Sequence, residues 1–370
     1  MSQLSNRPLS DTLELTSLGD VGERRVVIVG HKSPDGDCIG SALGLRSYLL
    51  ARGADEVSIM VVGRMPDNLL WLPGAETIHQ LSAQSDLEPI RQILAQARLL
   101  LLVDFNHLGR IGNPLEGLVA EIVGKPEVRS VMIDHHPEPD MGLVDEMYSD
   151  TSACATGFLL AELLGGGASR ELELHGGADM ATCLLAATYT DTGLLRHGQI
   201  TPTLFRTIAH LLEVGARHEE IVLRIFKSDK LSRQRLLGYI INERTTYDLD
   251  LGVAVFTLRQ EDFDRFGIEP GDTEGLVNVP LDVAGIRAVA FLREQRDPDE
   301  PVKISLRSQG NLPVNEVASK IFGGGGHLNA AGAEYQGTLS DALALVWEGC
   351  LLYTSPSPRD RTRSRMPSSA

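Results

Sequence analysis

The chain is poor in features that would place it in a membrane or in an oxidising compartment. Its 370 residues include four cysteines, Cys38, Cys154, Cys183 and Cys350, with no CxxC spacing. No disulfide framework can be read from that set, and a reducing compartment fits best. No run of about 20 apolar residues is present, which argues against a membrane-spanning helix. The segment from Met1 to Asp20 is polar and mixed, without an apolar signal core. The expected location is the cytoplasm, with no membrane partner. Positive charge is also scarce: 34 Lys and Arg against 50 Asp and Glu give a formal net charge of -16. Long duplex nucleic acid is held by Lys and Arg that displace counterions, so it is a poor partner here. A small or short anionic substrate in a local pocket remains compatible. No internal repeat is found.

What the chain does have is a run of apolar segments that end in Asp or His. Its length suits about two domains at the usual ~100–200 residues each. Arg25–Gly30, Val57–Val62, Leu99–Val103 and Ser130–Ile133 read as buried strands, alternating with helical patterns such as Ile39–Leu50. The fold class expected is α/β: a parallel sheet covered by helices on both faces, then a linker helix, then a smaller α+β domain. The second sheet is read from Leu251–Phe256, Ile286–Leu292 and Val302–Ser308. The domains expected are an arm at 1–24, a metal-binding domain at 25–228, a linker helix at 229–247 and a substrate domain at 248–349. Residues 350–370 are expected to be a non-native, disordered tail. Cys350 to Asp360 resembles the conceptual translation of a sequencing adapter, so fold reasoning stops at Gly349.

In such sheets ligands collect beyond the carboxyl ends of the strands. His31, Asp35 and Asp37 follow the first strand, Asp104 ends the run Leu99–Val103, and Asp134-His135-His136 ends another strand. Asp191 follows an Ala-rich helical segment. The plain reading of Asp35-Gly36-Asp37 is an Asp-Gly turn with exposed acids; His31 and the apolar strand before it weigh against that. Asp104 alone reads as a turn cap, a single His as an ordinary core or surface residue, and Asp191 as a turn or cap. Together the six groups His31, Asp35, Asp37, Asp104, His135 and Asp191 read as the shell of a two-metal site for phosphate-ester hydrolysis. Asp/His ligation without cysteine thiolate suits Mn²⁺ best, with Mg²⁺, Co²⁺, Fe²⁺ and Zn²⁺ as alternatives. Cys38 and Cys154 lie near these motifs and read as buried small residues. The glycines before His327 are followed by no Lys-Ser/Thr, so they form no P-loop.

The four segments, in this order, resemble the DHH phosphoesterase superfamily. The run Gly323-Gly324-Gly325-Gly326-His327-Leu328-Asn329-Ala330-Ala331-Gly332 resembles the signature of its C-terminal DHHA1 domain. The resemblance spans about residues 20–349 and is strongest to the compact, NrnA-like branch. It implies that His31 and Asp35 bind one metal, that Asp37, His135 and Asp191 bind the other, and that Asp104 bridges them as a catalytic residue. It implies that catalytic His136 contacts the scissile phosphate. In the second domain it implies that Gly324, Gly325, Gly326 and His327 hold a substrate phosphate, and that Arg307-Ser308 holds the nucleotide. Arg110 is expected to face the phosphate. Leu328-Asn329 stands where some relatives carry Pro-Arg, which departs from the pattern.

The function implied is two-metal hydrolysis of very short single-stranded RNA, with 3′-phosphoadenosine 5′-phosphate (pAp) as a second substrate. A homodimer is compatible with this. Hydrolysis of cyclic di-AMP or pApA is the alternative within hydrolases, and a non-catalytic nucleotide-binding protein is the alternative outside them. Inorganic pyrophosphatase is disfavoured by the glycine-rich loop, and a large processive exonuclease by length and acidity.

Overall fold

The computed structural model describes residues 8–15, 22–165 and 177–354, apart from 270, 271, 274, 296, 298 and 299. The chain folds as two compact units, Met1–Ser228 and Asp229–Ala370.

In the first unit the strands are β1 (Arg25–Val29), β2 (Glu56–Val62), β3 (Ile78–Leu81), β4 (Leu99–Val103), β5 (Arg129–Asp134) and β6 (Glu146–Ser149). The helices are α1 (Leu9–Thr12), α2 (Gly36–Ala51), α3 (Glu88–Ala95), α4 (Leu115–Ala120), α5 (Thr156–Leu163), α6 (Gly177–Asp191), α7 (Pro202–Val214) and α8 (His218–Ile221). The sheet runs β3-β2-β1-β4-β5-β6 and every pairing is parallel. Successive strand residues point to opposite faces. Val26, Ile28, Leu99, Leu101, Val131 and Ile133 therefore enter one core with α2, α5, α6 and α7. Val27, Val29, Leu100, Leu102 and Met132 enter a second with α3 and α4. Burial on both faces explains why β1, β4 and β5 are apolar almost throughout. Cutting a buried leucine such as Leu101 back to alanine would cost about 2–5 kcal/mol.

The chain order reverses between β1 and β4, the switch point at which such sheets open a crevice. Two edge strands escape the sequence reading. β3, Ile-His-Gln-Leu, and β6, Glu-Met-Tyr-Ser, are short and half polar because each has one neighbour instead of two. The N-terminal segment is also more than an arm. Leu9, Leu13 and Leu15 are buried in the first core, and the Thr12 hydroxyl bonds the Glu146 carboxylate (2.7 Å) and the Tyr148 hydroxyl (2.6 Å).

α2 and α6 pack with little between their backbones. Gly36, Gly40 and Gly44 fall four apart on one face of α2. A Cβ at Gly40 would lie 2.5 Å from the Cys183 carbonyl oxygen of α6, and one at Gly36 would lie 2.4 Å from the Thr190 side chain. This contact carries Asp191, the last residue of α6, to the start of α2.

The second unit holds a mixed sheet, β11-β12-β10-β9-β8-β7, formed by β7 (Thr245–Asp248), β8 (Val253–Leu258), β9 (Ala288–Arg293), β10 (Val302–Ser308), β11 (Gly325–His327) and β12 (Ala330–Tyr335). β8 and β9 pair in parallel and the rest antiparallel. Its helices are α9 (Leu231–Tyr239), α10 (Gln260–Phe266), α11 (Val314–Phe322) and α12 (Leu339–Thr354). Val255, Leu292, Ile304 and Leu306 pack under α11 and α12. Phe256 and Phe291, stacked at 4.5 Å, pack on the other face with Leu236 and Tyr239 of α9 and Phe263 of α10.

The expected linker helix is thus part of the second unit's core, and its last residues form β7. β7, β11 and β12 lie outside the sequence reading, since Thr-Thr-Tyr-Asp, Gly-Gly-His and Ala-Ala-Gly-Ala-Glu-Tyr carry little strand signal. The final helix continues past Gly349 to Thr354, beyond the boundary expected for the tail; residues 355–370 lie outside the described residues. No helix among the described residues is long and apolar enough to cross a membrane.

Candidate metal centre

Three neighbouring strands and one helix end deliver the Asp and His groups to one place. His31 lies just past β1, Asp104 just past β4, and His135-His136 just past β5. The imidazoles of His31 and His135 are oriented alike. His31 Nδ1 lies 3.0 Å from the Lys32 carbonyl oxygen and His135 Nδ1 lies 3.2 Å from that of Ala153. A carbonyl only accepts, so each Nδ1 carries a proton and each Nε2 is the nitrogen turned toward the carboxylates. His31 Nε2 stands 3.5 Å from Asp104 and 3.7 Å from Asp35. His135 Nε2 stands 3.6 Å from Asp191 and 3.8 Å from both Asp37 and Asp104. These gaps exceed a hydrogen bond and leave room for a cation held between imidazole and carboxylate.

The carboxylates are anchored from behind. Asp37 is 2% exposed; its Oδ2 accepts from Thr156 N (2.7 Å), and its Oδ1 from Gly157 N (2.9 Å) and Ser41 Oγ (3.2 Å). Thr156 Oγ1 also donates to Asp104 Oδ1 (2.8 Å). The N-terminus of α5 therefore fixes two acids at once, as its unpaired N–H groups and dipole favour. Asp104 adopts φ 67°, a left-handed backbone that aims its carboxylate off the strand tip. Asp35 is the N-cap of α2, accepting from the N–H groups of Asp37 and Cys38 at 3.1 Å each, with an exposed side chain.

The electrostatics call for positive charge. Burial and the neighbouring charges of Asp104, Asp191 and Asp35 push the Asp37 carboxyl well above its usual range. Burial, with Asp104 and Asp35 adding to it and His135 opposing, lifts Asp191 to about 6. For His31 burial opposes the charged form, but Cys38, Asp104 and Asp35 outweigh it and push the pKa up. Crowded carboxylates with imidazole lone pairs between them are a donor set that divalent ions satisfy. The residues present fit a divalent cation.

Among the described residues, three donor triads have all their ligand atoms within 4.8 Å of one another: Asp37–His135–Asp191, Asp104–His135–His136 and His31–Cys38–Asp104. Asp35 belongs to none of these triads, whereas Cys38, read from sequence as a small core residue, does. Cys38 is 0% exposed, and burial above all pushes its thiol pKa up.

His136 is held differently. Its Nδ1 lies 2.7 Å from Asp134 Oδ1, and Asp134 is fully buried at the end of β5. Burial disfavours the imidazolium, but the hydrogen bond and charge of Asp134 outweigh it and raise the pKa; Arg110 opposes this. Arg110 is exposed, and its charge reaches His136. Sequence reasoning missed Asp134 as the anchor of His136, although it stands in the same three-residue run. It also missed Thr156 and Gly157, whose only signal is a helix start beside the motifs in space, and Ser41, which follows Asp37 by one helical turn.

In the second unit Arg307 of β10 registers with Ala330 of β12, and Ala330 registers with His327 of β11. Directly paired residues share a face, so Arg307 and His327 stand roughly 10 Å apart, two strand spacings, on one side of the sheet. A cavity of about 500 Å³ opens on the Arg307 side, lined by Phe263, Phe291, Arg293, Lys303, Ser305 and Arg307 among others. Burial lowers the Arg307 pKa, and among the described residues no carboxylate pairs with it. Ser308 faces the other way and is buried: its Oγ donates to the Leu312 carbonyl (2.7 Å) and accepts from Asn329 Nδ2 (2.8 Å). Asn329 also donates to the Gly310 carbonyl (2.9 Å), so its side chain ties down the turn. At Gly324 a Cβ would meet the Gly332 carbonyl oxygen at 2.2 Å, and at Gly326, with φ 143°, the Ala330 carbonyl oxygen at 2.4 Å. Close backbone pairing, not flexibility, explains those glycines. Gly325 and His327 are exposed on the outermost strand.

Comparison with known proteins agrees with this architecture. Residues 25–188 match the DHH family, N-terminal domain, and residues 250–349 match the DHHA1 domain. The bifunctional oligoribonuclease and PAP phosphatase NrnA of Thermus thermophilus is 30% identical over 317 residues, 85% of this chain and 85% of that protein. The cyclic-di-AMP phosphodiesterase PdeA of Listeria monocytogenes is 25% identical over 339 residues, covering 88% of this chain but 48% of its own length. A crystal structure of an exopolyphosphatase-related protein from Bacteroides fragilis superposes with a TM-score of 0.81 at 32% identity, covering 90% of this chain and 93% of that one.

Proposed function

The chain belongs to the DHH family of metal-dependent phosphoester hydrolases, and from that membership we propose that it degrades very short single-stranded RNA and removes the 3′-phosphate of pAp. The observation that carries the chemistry is the convergence of His31, His135, Asp37, Asp104 and Asp191 with both Nε2 atoms 3.5–3.8 Å from carboxylate oxygens. The substrate class is supported by the relative from Thermus thermophilus, matched over 85% of both chains. The cyclic-di-AMP phosphodiesterase is matched over about half its length, which supports that alternative less.

In this reading Asp37, His135 and Asp191 would hold one divalent ion and His31 and Asp35 the other, with Asp104 available to both. When bound, such ions supply an activated water and neutralise charge on the phosphate. The Nδ1–H bonds to Lys32 and Ala153 keep both imidazoles in the ligating tautomer. His136 takes the proton role. Its Nδ1–H is committed to Asp134, whose hydrogen bond and charge outweigh burial and favour the protonated ring, so Nε2 is the nitrogen that can present a proton. That proton is available to a phosphate oxygen or to the departing ribose oxygen. Arg110, exposed and electrostatically close, adds positive charge for the phosphate.

The second unit holds the nucleotide. Arg307, desolvated and without a carboxylate partner among the described residues, offers a planar fork for a phosphate. His327 and the exposed backbone of Gly325 and Gly326 offer donors on the edge strand two places away, with Gly324 setting its approach. Ser308 acts indirectly here, by bracing the turn that carries Asn329.

The test is a side-by-side assay of the purified chain with Mn²⁺ on 5′-labelled RNAs of two to seven nucleotides, pAp, cyclic di-AMP and pyrophosphate. Fast loss of the shortest RNAs and of pAp is expected. Preference for cyclic di-AMP would overturn the substrate assignment, and inactivity on all of them would favour a nucleotide-binding protein.

A further inference from the structure

Cys38 occupies a position that its chemistry makes consequential. Its sulfur falls in one buried triad with His31 and Asp104, all three ligand atoms within 4.8 Å of one another. None of the three is more than 6% exposed. The sulfur is also held in place: a Cβ at Gly30 would lie 2.4 Å from Cys38 Sγ, so the absence of a side chain at the end of β1 makes the space the sulfur fills. Asp35 stands 3.7 Å from His31 Nε2 and caps α2 through Oδ1 alone, so Cys38 would join it at this end of the centre and not replace it.

We propose that the Cys38 thiolate is a ligand of the metal ion at the His31 end of the centre, making a His–Cys–Asp site that selects a thiophilic ion over Mn²⁺ or Mg²⁺. This rests on the metal-centre reading above. On binding, the S–H proton leaves to solvent as the metal–sulfur bond forms, so no oxidant or reductant enters. Sulfur donors favour Zn²⁺, Co²⁺ and Fe²⁺ over the hard ions that oxygen ligands suit. The two ends of the centre would then differ, with a mixed N/S/O triad at one and Asp37–His135–Asp191 at the other. The preference for Mn²⁺ expected from a thiolate-free shell would apply only to the second.

The experiment is an optical titration of the chelator-treated full chain with Co²⁺ under anaerobic conditions. The expected result is a sulfur-to-cobalt charge-transfer band in the near ultraviolet that saturates together with visible d–d bands. Cys38→Ala should lose the near-ultraviolet band and keep visible bands, and Cys154→Ala should keep both. Competition should show the preference for Zn²⁺ over Mn²⁺ falling at least about tenfold in Cys38→Ala, a conservative figure since even an outer-shell loss costs that much. Visible bands without charge transfer in the unaltered protein, or a charge-transfer band that survives in Cys38→Ala, would overturn the ligand assignment and leave the metal centre standing. Absence of any Co²⁺ binding would instead overturn the metal-centre reading itself. Should Cys38→Ala fail to fold, Cys38→Ser takes its place, with loss of the near-ultraviolet band again expected and its survival again overturning the assignment.

Discussion

The two sheets solve opposite problems with the same backbone. In the first unit, parallel strands buried on both faces end at one edge of the sheet, and their loops deliver side chains that repel one another. Asp37 and Asp104 are buried at 2% and 1% exposure and are held by Thr156, Gly157 and Ser41. In the second, a glycine strand at the border of a mostly antiparallel sheet presents backbone and one imidazole to solvent, beside a half-buried arginine. One site concentrates negative charge and calls for cations; the other concentrates donors and calls for an anion. Damage to the first should therefore remove chemistry, and damage to the second should weaken binding.

The largest expected effect is that of Asp104→Ala. It stands in two of the three donor triads, and losing several kcal/mol of transition-state stabilisation corresponds to about a thousandfold or more in turnover. Near-native turnover in an assay saturated with metal would remove Asp104 from the centre. Next, Asp134→Asn should lower kcat by about 10–100-fold with little change in KM, because it removes the negative charge beside His136 Nδ1 without touching the metal-facing acids. If His136 keeps its proton because of Asp134, the acidic group in the pH–rate profile should also move to lower pH; an unchanged profile would argue against that role.

Binding in the second unit should respond differently. His327→Ala should raise KM for pAp by about tenfold, the worth of one charged hydrogen bond, and leave kcat within about twofold. A kcat loss as deep as that of Asp104→Ala would erase the contrast between the two regions.

The smallest effect concerns stability. In the cation-free protein the Asp191 pKa is raised from 3.8 to about 6. The native state then binds more protons than the unfolded state between these values, so stability falls as pH rises through that window. Chelator-treated protein should melt a few degrees lower at pH 7 than at pH 5, and a divalent ion should restore the loss. A melting point that rises over this interval would show that the crowding is relieved in another way.

The parts of the fold legible in the sequence are those where burial acts on whole segments. β1, β4 and β5 are apolar throughout because both faces are covered, and the Asp and His residues directly after them mark the ends at which ligands collect. Half-buried edges such as β3, β6 and β12 have neither a continuous apolar run nor a clean alternation, so they stayed unread. The docking of Leu9, Leu13 and Leu15 was unread for a related reason: short, local patterns do not say which core they join.

The sequence by itself determined which chemical groups are available and the class of chemistry they support. His31, Asp37, Asp104, His135 and Asp191 are specified by position along the chain, because strand ends and helix ends are local properties. The tertiary structure alone decided which groups meet. It set Thr156 behind two acids, turned Ser308 inward and Arg307 outward, tied Asp35 to a helix cap, and brought Cys38 Sγ to His31 and Asp104. The physical reason is that a ligand set depends on distances of a few ångströms between segments far apart in sequence. Those distances come from the packing of α2, α5 and α6 against the sheet, which no local pattern encodes.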